Sequence, residues 1–279
     1  MMQIGSRFHY KSAEEIELIR KNCLLVTSTL AEVAGHVKPG VTGLALDEIA
    51  ETYIKDHQAV PAFKGYPGAV FDFPGTLCIS FNEVIVHGIP DQTEIKEGDI
   101  VSIDCGVEMN GFFGDAAFTF AVGEIDEEVM DLLVTTRECL DLAIGQAVAG
   151  NRLGDIGYAV QHHAEVNHEY GVIREMVGHG IGKNLHEPPE VPNYGKRGKG
   201  PLLKAGLTMA IEPMINLGSR HVVLKKDGWT LVTKDHKPSA HYEHTIAVQK
   251  AEADVLSDHT VIDKAVKNNV NLSEIRRKR

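Results

Sequence analysis

The chain has no apolar run approaching the ~20 residues that a bilayer span requires. Its opening segment, MMQIGSRFHY, lacks the apolar stretch of a secretion signal. Both absences point to a cytoplasmic protein that neither enters nor lines a membrane. Cysteine is scarce: Cys23, Cys78, Cys105 and Cys139 are widely spaced and form no CxxC pair. That argues against a zinc finger and a disulfide scaffold, and it suits a reducing compartment. There is no surplus of positive charge, since 28 Lys and Arg face 39 Asp and Glu for a net charge of −11. A broad DNA- or RNA-binding face is therefore disfavoured. A phosphate-cradling loop is also missing, because Gly178-His-Gly-Ile-Gly182 lacks the strand-to-helix setting such a loop needs.

What remains is a 279-residue chain with ordinary globular composition, 43% apolar and 24% charged. Ser12-Ala-Glu-Glu15 forms a capping box ahead of a run with apolar residues every three or four positions. A long helix is predicted over 13–35, stopped by the Lys-Pro-Gly at 38–40, with a second over 43–57. Residues 126–148 and 153–169 repeat the scheme of a long helix, a glycine break and a shorter helix. Glu48-Ile-Ala50 also matches Asp155-Ile-Gly157. Two related halves follow, about 1–125 and 126–250, within one catalytic domain over 1–250. Residues 251–279 form an extension with a basic end, IRRKR. Such an end is ordinarily a solvated terminus, and contact with the ribosome is its functional alternative.

Strands gather after the helices in each half. Residues 76–87 read as a hairpin turning at Asn82-Glu83. Residues 99–121 read as a second hairpin, turning at the type I′ pair Asn110-Gly111. Helices grouped apart from largely antiparallel strands define an α+β class. Pairing the second hairpin sets Met109 opposite Phe112, Gly106 opposite Asp115 and Asp104 opposite Ala117. Asp104 and Asp115 then share a face as diagonal neighbours, about 7 Å apart. The other face, Val101, Ile103, Cys105 and Val107 with Ala116, Phe118 and Phe120, is apolar and is predicted to be the buried side.

Two adjacent carboxylates repel each other unless a proton or a cation lies between them. Small neighbours on their face (Ser102, Gly106, Ala117, Thr119) leave room for an ion. Glu212 sits in apolar company, among Met209, Ile211, Met214 and Ile215, and a carboxylate there needs a partner. Glu243 begins another apolar run. Four carboxylates balance two divalent cations, and this oxygen-rich set with one imidazole favours Mn, Fe or Co without excluding Zn. Two such ions can draw a nucleophile from water and hold the oxyanion it forms. His179 and His186 lie seven apart in GHGIGKNLHEPPE, a stretch too rich in glycine and proline for a helix. In an extended chain the two rings would point to opposite faces. The remaining histidines apart from His87, His241 and His244 among them, read as ordinary packing or turn residues.

Six motifs occur in order: FNEVIVHGIP, SIDCG, FFGDAAFTF, GHGIGKNLHEPP, AIEPMIN and HYEHTIAV. Together they resemble those of type I methionine aminopeptidases of peptidase family M24, over about Ser12 to Gln249. The resemblance implies the pita-bread (creatinase/aminopeptidase) fold, two pseudo-symmetric halves around a central antiparallel sheet. It implies two divalent metal ions (Co, Mn, Fe or Zn) on Asp104, Asp115, His179, Glu212 and Glu243, with Asp115 and Glu243 touching both. It makes Glu212 the general base and gives His87 and His186 contact with the scissile peptide. It lines the methionine pocket with Tyr66, Cys78, His87, His186 and Trp229. Leu185 stands where some members carry an aromatic residue, and the loop 69–76 is longer than in the shortest members. The implied substrates are nascent polypeptide N-termini, met at the ribosome if the basic end reaches it, and the implied state is a monomer. The alternatives are an X-Pro peptidase of the same fold, which usually carries a large N-terminal domain, and a non-catalytic binding module, which loses ligands. A two-metal phosphatase or nuclease lacks support without a basic groove.

Overall fold

A computed structural model describes residues 8–277. Met1–Arg7 and the Lys278-Arg279 end of the basic tail lie outside the described residues. The helices are α1 (Ala13–His36), α2 (Gly43–Asp56), α3 (Glu127–Gln146), α4 (Leu153–Gln161) and α5 (Thr260–Asn268). The strands of the first part are β1 (Val60–Pro61), β2 (Leu77–Phe81), β3 (Val84–Val86), β4 (Ile100–Met109) and β5 (Phe112–Val122). There follow β6 (Gly171–Val172), β7 (Gly178–Gly180), β8 (Glu187–Val191), β9 (Thr208–Ile211), β10 (Met214–Asn216), β11 (Val222–Leu224) and β12 (Leu231–Thr233). The last are β13 (Ser239–His241), β14 (His244–Ala247), β15 (Asp254–Val255) and β16 (Leu272–Ser273).

Ser12 caps α1 as its sequence predicts: its hydroxyl accepts the Glu15 N–H, and the Glu15 carboxylate accepts the Ser12 N–H. The predicted 153–169 helix is α only to Gln161 and continues as a π turn over His162–Asn167. Two five-stranded antiparallel sheets carry the fold. In one, β4 pairs with β5 on one edge and with β1 and β2 on the other, and β16 adds to β5. The second runs β15-β14-β9-β7-β8. One continuous apolar core joins α1 and α2 to α3 and α4 through these sheets, and Ile262 and Val266 of α5 reach into it. The C-terminal segment therefore folds back on the body, and Asn269 donates to the Ala34 and Val37 carbonyls at the end of α1.

The β4–β5 hairpin has the register read from its sequence, with Met109 opposite Phe112, Gly106 opposite Asp115 and Asp104 opposite Ala117. Asn110 and Gly111 take the positive φ values (57° and 72°) of a type I′ turn. One expectation needs correcting: the apolar face is buried, but so is the other, where Ser102, Ala117 and Thr119 are enclosed. Residues 239–245 cover that second face. Thr119 donates to the His241 carbonyl and accepts the His241 N–H, and Thr245 donates to the Asp115 carbonyl.

A second correction concerns residues 76–87. The chain turns at Asn82 (φ 47°), yet β2 and β3 do not pair. Asn82 instead binds the start of β4, accepting the Ile100 N–H and donating to Asp99. So β2 joins β4 while β3 joins β12.

α1 lies directly against β5. A Cβ at Gly114 would stand 2.6 Å from the Cys23 backbone nitrogen and 2.7 Å from the Asn22 carbonyl carbon. The buried Asn22 amide donates to the Met109 and Phe112 carbonyls on either side of the hairpin turn. Gly114→Ala is expected to cost about 2–3 kcal/mol, because the neighbours that must move are backbone. Urea unfolding measures this, and a wild-type midpoint would show that the helix does not sit so close.

Candidate metal centre

Each acidic residue reaches the site from a different kind of position. Asp104 and Asp115 stand on neighbouring β4 and β5, on the face covered by residues 239–245. Glu212 lies where the chain leaves β9, which pairs with β14, and enters β10, which pairs with β13. Glu243 lies at the matching break between β13 and β14, where its N–H donates to the Ala117 carbonyl. Both glutamates thus occupy positions at which the chain changes sheets and the ladder opens. A glutamate opening a strand is ordinarily exposed, but Glu243 is 2% exposed.

His179 comes from β7. A Cβ on Gly178 would meet the Ala210 carbonyl oxygen at 2.4 Å, so glycine lets β7 lie close against β9. The chain reverses over 181–186 and returns as β8. His179 and His186 therefore do not occupy opposite faces of one extended strand, as their odd spacing predicts. Their rings face each other at 4.3 Å between centroids.

All ten residues singled out in the sequence line one cavity of about 190 Å³: His87, Asp104, Asp115, His179, His186, Glu212, Glu243, Tyr66, Cys78 and Trp229. Leu185 joins them, with Phe63 and Phe73 completing the apolar wall. Among the described residues, no lysine or arginine lines the cavity. Ligand atoms of Asp115, His179 and Glu243 lie within 4.8 Å of one another. His179 Nε2 is 3.8 Å from Asp115 Oδ2 and 3.6 Å from Glu212 Oε1. These gaps are too long for hydrogen bonds. They match the spacing of neighbouring donors that each lie about 2.1 Å from a shared ion.

The donors fit a cation on chemical grounds too. Asp104 Oδ1, Asp115 Oδ1 and Glu243 Oε1 are buried without a hydrogen-bond partner. Burial pushes the Asp104 carboxyl up to about 7. Burial and then the neighbouring negative charges hold Asp115 and Glu243 well above the usual carboxylate range, and Glu212 is raised by burial and by Asp104. The His179 Nδ1–H donates to its neighbour's carbonyl, at Gly180, over 3.0 Å, which leaves Nε2 bare toward the carboxylates. Burial, and then His186, pulls the His179 ring down to about 3, so it stands neutral as a ligand must. The set can hold divalent cations.

The rest of the cavity wall is apolar and histidine-rich. The Tyr66 hydroxyl and His186 Nδ1 lie 2.7 Å apart. His87 is held at a positive φ of 58°, a strained setting for a non-glycine residue, with its ring edge-on to Trp229 at 6.2 Å. Trp229 in turn packs on Phe73 and donates from Nε1 to the Phe71 carbonyl, tying down the 69–76 loop.

Sequence reading missed His241. Its Nε2 is buried without a hydrogen-bond partner, 3.8 Å from Glu212 Oε2. The available signal was its spacing of two from Glu243, which puts both on one side of an extended segment. Glu138, His163 and His168 also cluster, outside the lining of this cavity, but Arg277 engages both Glu138 oxygens.

Residues 17–250 match the model of metallopeptidase family M24. Methionine aminopeptidase 1 of Bacillus subtilis is 46% identical over 88% of this chain and 98% of its own. Methionine aminopeptidase of Clostridium perfringens is 48% identical over 88% and 97%. The crystal structure of the methionine aminopeptidase from Thermotoga maritima superimposes with a TM-score of 0.87 at 42% identity, over 90% of this chain and all of that one. The prolidase of Pyrococcus horikoshii shares the fold, with a TM-score of 0.69 at 20% identity, and this chain covers 63% of it.

Proposed function

Because this chain belongs to metallopeptidase family M24, with methionine aminopeptidases as its strong relatives over nearly their whole length, we propose that it removes the initiator methionine from nascent polypeptides with a pair of divalent ions. The chain is a metallo-aminopeptidase hydrolase of the pita-bread fold. Residues 1–250 act as the catalytic unit, and residues 251–279 are an extension. No helix among the described residues is long and apolar enough to cross a membrane.

The observation that carries the reading is the cavity itself: four carboxylates, Asp115 and Glu243 buried and Asp104 and Glu212 partly so, share it with a neutral histidine, two further histidines and apolar side chains. Asp104, Asp115, His179, Glu212 and Glu243 would hold the ions, with Asp115 and Glu243 shared. When bound, the ions supply Lewis acidity at the scissile carbonyl and acidify the attacking water. Glu212 takes the proton of that water and passes it to the leaving nitrogen.

Burial lowers His87 to about 4 and also lowers His186, so both rings are neutral and act as hydrogen-bond donors rather than acids. A Tyr66 hydroxyl donating to His186 Nδ1 would put the His186 proton on Nε2, where it can stabilise charge developing on the substrate. Tyr66, Cys78, Phe63, Phe73 and Trp229 enclose the unbranched methionine side chain.

Assaying metal-stripped protein on Met-Ala-Ser and Ala-Pro-Ala, with Mn, Fe, Co and Zn restored separately, tests this. Cleavage of the first peptide alone is expected, and the order of the metals identifies the preferred ion. Cleavage of only the second would move the activity to X-Pro bonds and undo the pocket.

A further inference from the structure

The turn that delivers Leu185 and His186 into the cavity has no regular structure of its own. One carboxylate takes two of its backbone N–H groups. Glu187 Oε1 accepts the backbone N–H groups of Lys183 and Asn184, at 2.8 and 3.2 Å. Glu187 Oε2 accepts the Lys11 ammonium at 2.6 Å, and both side chains are only 5% exposed. Burial alone would raise the Glu187 carboxyl, but Lys11 and the two N–H groups together hold it below its ordinary value.

Lys11 belongs to a strap that crosses the second half just before α1. Tyr10 bridges Leu207, and the Lys11 N–H donates to the Gly206 carbonyl at 2.7 Å. Its stem runs beneath Gly182, where a Cβ would stand 2.5 Å from Lys11 Cε. The far side of the same turn is tied to the β4–β5 hairpin, because Phe113 donates to the Gly182 carbonyl at 2.8 Å. The ammonium therefore sits under the turn rather than in solvent.

We infer that Lys11 is a positioning residue for catalysis: through Glu187 it sets the 181–186 turn, and through that turn the place of His186 opposite His179. The inference rests on the role given to His186 above. Removing the ammonium leaves a buried carboxylate without its counter-ion. That carboxylate then draws in water or swings out, and the turn loses its clamp. A displacement of about 1 Å at His186 is enough to cost about a hundredfold in rate.

The test compares the metal-loaded wild type with Lys11→Met, His186→Ala and the double variant. Lys11→Met is expected to lower kcat about ten- to a hundredfold, with KM moving far less and bound metal per chain unchanged. In the His186→Ala background it should change kcat less than twofold, because the residue it positions is already gone. Adding Glu187→Gln to Lys11→Met should restore most of the rate, since the amide oxygen still accepts both N–H groups and no unpaired charge remains. A role confined to stability would lower the melting temperature of Lys11→Met and leave its kcat below that temperature intact. Equal losses in both backgrounds overturn the proposal. If Lys11→Met is silent while His186→Ala is impaired, the strap alone falls. If His186→Ala is itself silent, the role of His186 falls and takes the strap with it.

Discussion

Glu243→Gln is expected to lower kcat by at least about a thousandfold while leaving the chain folded. Glu243 stands within 4.8 Å of ligand atoms on Asp115 and His179, and its Oε1 is buried with no partner. The substitution keeps the size of the side chain and removes one negative charge and one anionic donor. About 4 kcal/mol of lost transition-state stabilisation corresponds to the thousandfold, within what a metal ion contributes. Stability should move the other way. In the metal-free protein burial, and then repulsion by Asp115, Glu212 and Asp104, holds the Glu243 pKa well above normal. A neutral amide relieves that repulsion, so the metal-free variant should melt no lower than the metal-free wild type. Kinetics, bound metal per chain and thermal melts read the three parts. Wild-type kcat at full metal content would remove Glu243 from the centre.

Stripping the metal is expected to make stability fall as pH rises from about 4 to 8. The sign follows from the raised carboxyls. In the unfolded chain these groups ionise near pH 4. In the fold Asp104 keeps its proton to about pH 7, and Asp115, Glu212 and Glu243 are also held well above normal, chiefly by burial. Between the two values the folded state binds more protons than the unfolded one. Each fully shifted group then removes about 1.4 kcal/mol of stability per pH unit, until pH passes its folded pKa. Added divalent metal replaces the protons, so the rise in melting temperature on adding Mn, Fe, Co or Zn should be larger at pH 8 than at pH 5.5. A melting temperature of the metal-free protein that is flat or rising over this range would show that the carboxylates are not confined together.

Much of this architecture was legible in the residues because local signals agreed with the tertiary outcome. The Ser12 capping box, the Asn110-Gly111 turn and the period-two pattern around Asp104 and Asp115 each specify their own geometry within a few residues. The misreadings share one cause, contacts remote in sequence. The Asn82 turn looks like a hairpin tip until Ile100 and Asp99 compete for its side chain. The polar face of β4–β5 looks solvated until residues 239–245 cover it, about 120 residues later in the chain. His179 and His186 look opposed until the 181–186 turn brings them together, and that turn depends on Lys11, some 170 residues earlier. For the same reason His241 carried no local mark beyond its spacing from Glu243. Register and apolar surroundings singled out the four carboxylates, and the order of six motifs joined His179 to them; the structure brings all five candidates to one cavity.

The seam between β5 and residues 239–245 has a use outside catalysis. Thr119, Thr245 and Tyr242 stitch it with side-chain hydrogen bonds to backbone carbonyls, directly beside Asp115 and Glu243. The two carboxylates sit on opposite banks of that seam. Affinity for the ions is thus a gauge of how tightly the banks are drawn together. A chelator titration would register loosening anywhere along the suture, including at positions that never approach the substrate, before any change in secondary structure could be seen.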